Sequence, residues 1–260
     1  MANEWRQAVL KWWWERRRPA TDYVSTVENL IRIHGVEQAM EIAVGGSDAI
    51  GDRELLILDY FGLRDGDYLI DVGCGSGRLT RRAARLPKLR YLGTDVSKPL
   101  VEHARATCGR DDFRFSVVDG LTIPERDETA DMVAFFSVGT HLLSEQFFVN
   151  LEEARRVLRP GGRIVLSFLD METRPAKKVF EQMVERARKG QPEVPLNVFF
   201  PPSTVRTWAR MLGMECIEIV GPMDWRSRTN PVLLELIGSQ EKQVPFGQSV
   251  AALEKPKRPA

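Results

Sequence analysis

Little in this chain of 260 residues leans one way. It carries 37 Lys and Arg against 36 Asp and Glu, a formal net charge of +1. It therefore lacks the basic surplus with which proteins hold nucleic acid through its phosphates, and no nucleic-acid partner is expected. Cysteine is scarce. Cys74, Cys108 and Cys216 are an odd number with no metal-type pairing such as C-x-x-C, and they read as inert thiols in a reducing compartment. No stretch approaches 18 apolar residues, and the start, Met-Ala-Asn-Glu-Trp, has no basic leader ahead of an apolar run. The expectation is a cytoplasmic protein with no stable membrane insertion. No metal is expected either, although Asp131, Asp170 and Glu172 keep a divalent ion open. What is present is an ordinary globular composition, 43% hydrophobic and 28% charged, in a chain long enough to form one large domain or two small ones.

The first 60 residues read as helical, with apolar positions at helical spacing in Trp5 to Trp13, Asp22 to Ile33, Val36 to Ala43 and Arg53 to Phe61. From Tyr68 the pattern changes. Short apolar runs at 68–70, 91–93, 113–118, 132–136 and 163–168 alternate with longer amphipathic ones at 79–86, 99–108 and 145–158. That order predicts a parallel sheet with helices on both faces. Helices at 176–188 and 203–212 and strands at 215–220 and 249–253 complete the reading, and the tail 256–260 is expected to fray.

The most informative segment is Asp71-Val72-Gly73-Cys74-Gly75-Ser76-Gly77-Arg78. It follows the first strand and opens a helix, where glycines let the backbone approach a ligand closely. A dinucleotide-binding turn needs its third glycine at position 78, which is arginine here, and the Gly-Lys-Ser/Thr ending of a phosphate-binding loop is absent. Asp71 suits a cationic or amino-bearing ligand better than a pyrophosphate. Asp95 ends the second strand, where a carboxylate can accept hydrogen bonds from both ribose hydroxyls of an adenosyl group. Asp119-Gly120 ends the third strand, and Asp119 can take an adenine amino group. Tips of neighbouring parallel strands lie side by side, so Asp71, Asp95 and Asp119 are expected to line one crevice.

In these features the chain resembles the class I, Rossmann-like, S-adenosylmethionine-dependent methyltransferases. The glycine segment is similar to their first motif, Asp95 to the ribose-binding acid and Asp119 to the adenine-contacting acid. Asp131 to Ser137 resembles the fourth-strand motif, and Arg156 to Arg163 the turn into the fifth strand. The resemblance implies a doubly wound, seven-stranded α/β sheet, parallel except for an antiparallel last strand at 249–253. It implies S-adenosyl-L-methionine as cofactor, held by Asp71, Gly73, Cys74, Gly75, Gly77, Asp95, Val96, Asp119, Gly120, Phe136 and Ser137. Residues 61–255 would form the core, with insertions at 171–202 and 221–248, and residues 1–60 a helical cap or lid of the same domain.

A sulfonium methyl is intrinsically electrophilic, so the protein has mainly to align an acceptor and remove its proton where needed. His141, in the loop after the fourth strand, is the candidate general base, against the reading that it merely orients cofactor or backbone. The loop Phe136-Ser137-Val138-Gly139 lacks the Asn/Asp-Pro-Pro-Tyr signature of base-amino and glutamine methylation, and no cysteine follows strand four or five for methylation of RNA carbon. The acceptor pocket is expected from the aromatic additions, at Trp13, Tyr23, Phe199, Phe200 and Trp225, which favour a small, partly apolar organic acceptor, natural products included, methylated at oxygen or nitrogen. A peptide, protein or lipid-linked acceptor and a catalytically silent cofactor-binding subunit stay open. Trp12-Trp13-Trp14 cannot all face one side of a helix, which suits a lid or a homodimer contact.

Overall fold

Tyr68-Leu69-Ile70-Asp71-Val72 forms β1, and every one of its residues is buried. A strand covered on both faces belongs inside a sheet flanked by helices. The structure, a computed structural model, describes residues 23–44, 48–191, 196–227, 230–236 and 246–258. Trp12-Trp13-Trp14, and with them the expectation for Trp13, lie outside the described residues.

Beside β1 run β2 (Arg90–Asp95), β3 (Arg114–Val117), β4 (Ala130–Phe135), β5 (Leu158–Phe168), β6 (Glu215–Val220) and β7 (Ser249–Glu254). The seven strands are ordered β3-β2-β1-β4-β5-β7-β6. The first five are parallel, and β7 enters between β5 and β6 antiparallel to both, as the α/β reading expects. The described helices are α1 (Tyr23–His34), α2 (Val36–Val44), α3 (Asp48–Tyr60), α4 (Arg78–Ala83), α5 (Lys98–Thr107), α6 (Ser144–Val157), α7 (Arg174–Arg188), α8 (Pro202–Met211) and α9 (Pro231–Leu236).

Side chains alternate across each central strand and feed two apolar layers. Leu69, Met132, Ala134, Val165 and Ala252 point to one face, with Leu55, Leu58, Leu79 and Val101 of α3, α4 and α5. Ile70, Val133, Phe135, Ile164 and Ala251 point to the other, with Phe147 and Leu151 of α6 and Trp208 of α8. A third, small cluster of Val27, Met40 and Leu100 ties α1 and α2 to α5.

The structure departs from the sequence reading at β5, which begins at Leu158 rather than near 163. Ala130 pairs with Leu158 and Met132 with Arg163, so residues 159–162 bulge out of the ladder at the Pro160-Gly161-Gly162 turn. Asp131, left open as a metal ligand, is occupied structurally: its Oδ2 accepts the Tyr68 amide at 2.6 Å, and it pairs with Arg159. Asp170 Oδ1 accepts the Glu172 amide at 3.0 Å, a local turn. Among the described residues no three His, Cys, Asp or Glu side chains form a metal-binding group, and no helix is long and apolar enough to cross a membrane.

Candidate functional site

The glycine loop after β1 is folded across the tip of β2. The amides of Gly73 and Cys74 donate to Thr94 O at 2.7 and 3.0 Å, and Gly75 N–H donates to Asp95 Oδ2 at 3.0 Å. Asp95 Oδ1 accepts the Ser97 amide at 2.9 Å. Val96 N–H also bears on this carboxylate, and the acceptor capacity left over is available to a further donor. Burial raises the Asp95 pKa, and these backbone N–H groups oppose the rise.

Gly73 and Gly77 serve the turn differently. Both have positive φ, 73° and 86°. A Cβ on Gly73 would lie 2.4 Å from Val138 Cγ2, so glycine lets the loop touch the segment after β4. A Cβ on Gly77 would lie 3.0 Å from Ala104, where α4 meets α5.

A cavity of about 800 Å³ opens here over the carboxyl ends of the strands. Of the expected cofactor residues, Asp71, Gly73, Cys74, Gly75, Asp95, Val96, Asp119, Gly120, Phe136 and Ser137 line it, so the three strand-tip acids do share one crevice. Gly77 does not line the cavity, and its role is the close helix contact. Asp119 is exposed and accepts the Leu121 amide at 2.9 Å. Asn150 Nδ2, from α6, holds this rim by donating to Gly120 O at 3.0 Å.

At the floor lies a buried charged group that the sequence reading overlooked. Arg78 Nε donates to Glu54 Oε1 at 2.8 Å, and both side chains line the cavity. Glu54 had one visible signal, a charge at the apolar i, i+4, i+7 spacing it shares with Leu58 and Phe61. Gly51 makes the contact possible, since a Cβ there would sit 2.3 Å from Arg78 O. Asp71 is next to this pair. Its Oδ2 accepts the Tyr91 hydroxyl at 2.7 Å, which in turn meets Thr80 Oγ1 at 2.6 Å. Burial lifts the Asp71 carboxyl to about 7, against the pull of the Tyr91 hydrogen bond.

His141 lies in the turn before α6, lining the cavity rather than opening the helix. Its Nδ1 is 2.7 Å from Leu196 O. A carbonyl only accepts, so Nδ1 carries the proton and Nε2 of the neutral ring keeps its lone pair. Burial lowers the His141 pKa, and the Leu196 carbonyl partly restores it. Tyr23 of α1 stacks on this imidazole, with centroids 6.3 Å apart and planes at 19°, and lines the cavity. Val24 lines it too, so the start of α1 covers the crevice.

The other aromatic expectations are corrected. Phe200 is buried in the core against Phe168, Phe147 and Trp208. Trp225 packs edge-on against Tyr60 and Phe61. Phe199 meets Phe180 of α7. None of the three lines the cavity, because these rings seal helices and loops onto the sheet. Away from the strand-tip acids, the cavity is lined instead by Val138, Thr140, Leu142, Leu169, Val179 and Leu196, with Asn197 and Gln248.

Residues 69–162 match the model of a family described as a methyltransferase domain. The chain is 32% identical over 131 residues to 27-O-demethylrifamycin SV methyltransferase of Amycolatopsis mediterranei, covering 49% of this chain and 47% of that protein. It is 34% identical over 121 residues to the ubiquinone/menaquinone biosynthesis C-methyltransferase UbiE of Paracoccus denitrificans, covering 44% of this chain and 48% of that one. The chain thus spans about half the length of the curated relatives it matches. Among solved structures, magnesium protoporphyrin IX methyltransferase of Synechocystis with bound S-adenosylhomocysteine superposes with a TM-score of 0.57 at 17% identity, over 90% of this chain and 95% of that one.

Proposed function

We propose that this chain, a class I S-adenosylmethionine-dependent methyltransferase by its fold, strand-tip motifs and matched domain, methylates an oxygen or nitrogen of a small organic acceptor. The observation that carries the acceptor reading is a division of the cavity lining. Its charged residues, Glu54, Asp71, Arg78, Asp95 and Asp119, all stand on α3, α4 or the tips of β1 to β3. Over β4 and β5 the described lining carries no acidic or basic residue besides the neutral His141, and it mixes Val138, Leu142, Leu169, Val179 and Leu196 with Ser137, Thr140, Asn197 and Gln248, which suits a neutral, partly apolar molecule with a polar group.

The charged half fits the donor. Asp95 has remaining acceptor capacity for a ribose hydroxyl, Asp119 an exposed carboxylate for the adenine amino group, and Asp71, Glu54 and Arg78 offer both signs of charge to an amino-acid zwitterion. When bound, S-adenosylmethionine supplies a sulfonium-activated methyl group, released as the acceptor's lone pair takes it. The chain's own work is then positioning and proton removal. Val138 and Gly73 in contact bring the donor's loop and the acceptor's turn together. His141, fixed by its Nδ1–H bond to Leu196 O, takes the acceptor's proton on Nε2. Tyr23 and Val24 exclude water above the site. In this reading α1 and α2 cap the crevice, whereas α3 packs Leu55 and Leu58 against the sheet as part of the domain core.

Calorimetric titration with S-adenosylmethionine and S-adenosylhomocysteine tests the reading, and no binding of either at millimolar concentration would sink it. Asp95→Ala is expected to weaken both by roughly tenfold or more through loss of a charge-assisted acceptor. His141→Ala should keep that affinity while transfer of labelled methyl to a pool of phenols and amines falls roughly 100-fold or more.

A further inference from the structure

Ser137 stands just beyond β4 with φ 61°, in the left-handed region that a residue bearing a Cβ rarely adopts. Such a conformation persists where its surroundings over-determine it, often at a ligand site. Here the surroundings form a closed polar triangle. Ser137 N–H donates to Ser167 Oγ at 2.8 Å. Ser167 is fully buried and already accepts that amide, so its own hydroxyl needs an acceptor, and Gln248 Oε1 lies 2.7 Å away. That fixes the orientation of the amide. Gln248 Nε2, 3.0 Å from Ser137 Oγ, must then be the donor to it. The Ser137 hydroxyl hydrogen is left over, and among the described residues nothing accepts it. Ser137 and Gln248 both line the cavity.

The triangle lies on the acceptor's side. Ser167 is on β5 and Gln248 immediately precedes β7, whereas the carboxylates suited to the donor stand on β1, β2 and β3 across the sheet. The same turn carries His141 four residues on, and it is clamped by Thr140 Oγ1 donating to Ser137 O at 2.7 Å and by Val198 N–H donating to Thr140 O at 2.8 Å. Resting on the methyltransferase reading above, we propose that Ser137, aimed by Gln248 and Ser167, donates its hydroxyl hydrogen to the oxygen of a phenol- or enol-class acceptor and so selects hydroxyl-bearing substrates. An aliphatic hydroxyl is too weak an acid for a neutral imidazole, whereas a phenol ionises near pH 10, within its reach. The donated bond leaves one oxygen lone pair for attack while the proton passes to His141. Ser137, expected from sequence among the cofactor contacts, thereby becomes a specificity residue.

The test uses the full chain saturated with S-adenosylhomocysteine, with 4-nitrophenol as probe and nitrobenzene as the probe lacking the hydroxyl. Absorbance of the nitrophenolate reports ionisation in the site. Wild type should bind 4-nitrophenol at least roughly tenfold more tightly than nitrobenzene. Ser137→Gly removes the hydroxyl but suits the φ of 61°, so its melting temperature should hold or rise. Its affinity for 4-nitrophenol should fall roughly fivefold to tenfold, its affinity for S-adenosylhomocysteine should stay within about twofold, and the bound probe should ionise at higher pH. Gln248→Leu should shift probe affinity in the same direction. Equal 4-nitrophenol affinity in wild type and Ser137→Gly, no preference over nitrobenzene, or a loss confined to S-adenosylhomocysteine overturns the inference. Failure of the wild type to bind S-adenosylhomocysteine overturns the methyltransferase reading itself.

Discussion

Replacing Glu54 by glutamine removes one charge from the floor of the crevice while keeping its shape. Glu54 is 1% exposed, and its partner Arg78 is 8% exposed. Burial raises the Glu54 pKa, and Arg78 opposes the rise, so each group depends on the other to be ionised there. Losing one member of a buried ion pair costs about 3–5 kcal/mol, because the other is left charged in a low dielectric. Asp71 also acts favourably on Arg78, which puts Glu54→Gln at the lower end, about 3 kcal/mol. For a chain of this size each kcal/mol lowers Tm by about 2–4 °C, so the expected fall is about 6–12 °C. Differential scanning calorimetry, with urea unfolding alongside, measures it. The double variant Glu54→Leu, Arg78→Met fills the space with apolar atoms and should recover most of the loss, since a well-packed apolar pair can match a buried ion pair. It should not recover affinity for S-adenosylhomocysteine if the pair also meets the donor's zwitterion. A Glu54→Gln melt within about 2 °C of wild type, or a double variant no better than the single ones, would refute the reasoning that the pair is a coupled buried unit.

Asp71 makes stability depend on pH in a defined direction. Its folded-state pKa of about 7 lies above the ordinary carboxylate value, so the folded state holds a proton that the unfolded state has released. Its stabilising contribution is therefore full below about pH 4 and is lost as pH rises to about 7. Asp71→Asn should abolish that part of the decline, seen as a flatter plot of urea midpoint against pH, and parallel plots for the two proteins would count against it. Gly77→Ala should cost about 1–2 kcal/mol for the left-handed backbone, with the 3.0 Å approach to Ala104 adding to it, and should lower Tm without altering the cavity. Phe200→Ala, which opens a hole between Phe168 and Trp208, should cost about 3–5 kcal/mol while the folded protein keeps its affinity for S-adenosylhomocysteine. A variant as stable as wild type would return Phe200 to the cavity wall.

The parts of this site that could be read from sequence are those that a local rule places. Asp71, Asp95 and Asp119 each follow a short apolar strand, and the parallel order that alternating strands and helices impose sets their tips side by side. The aromatic residues misled because a ring in an insertion is equally suited to a ligand or to a seam, and period and composition do not separate the two. Phe200 belongs to the seam between α6, α8 and the sheet, a fact that depends on where α8 docks. Glu54 and Gln248 were hidden for a related reason. Glu54 reaches Arg78 only because Gly51 brings α3 against α4, and Gln248 reaches Ser137 only because β7 inserts between β5 and β6. Both contacts join segments that the sequence does not place together, and only Glu54 leaves a trace there, as an acid on an apolar helix face, whereas the positive φ of Ser137 belongs to the folded turn. At Glu54 an isolated violation of the local pattern, rather than an enrichment of any residue type, is thus the signal closest to the chemistry.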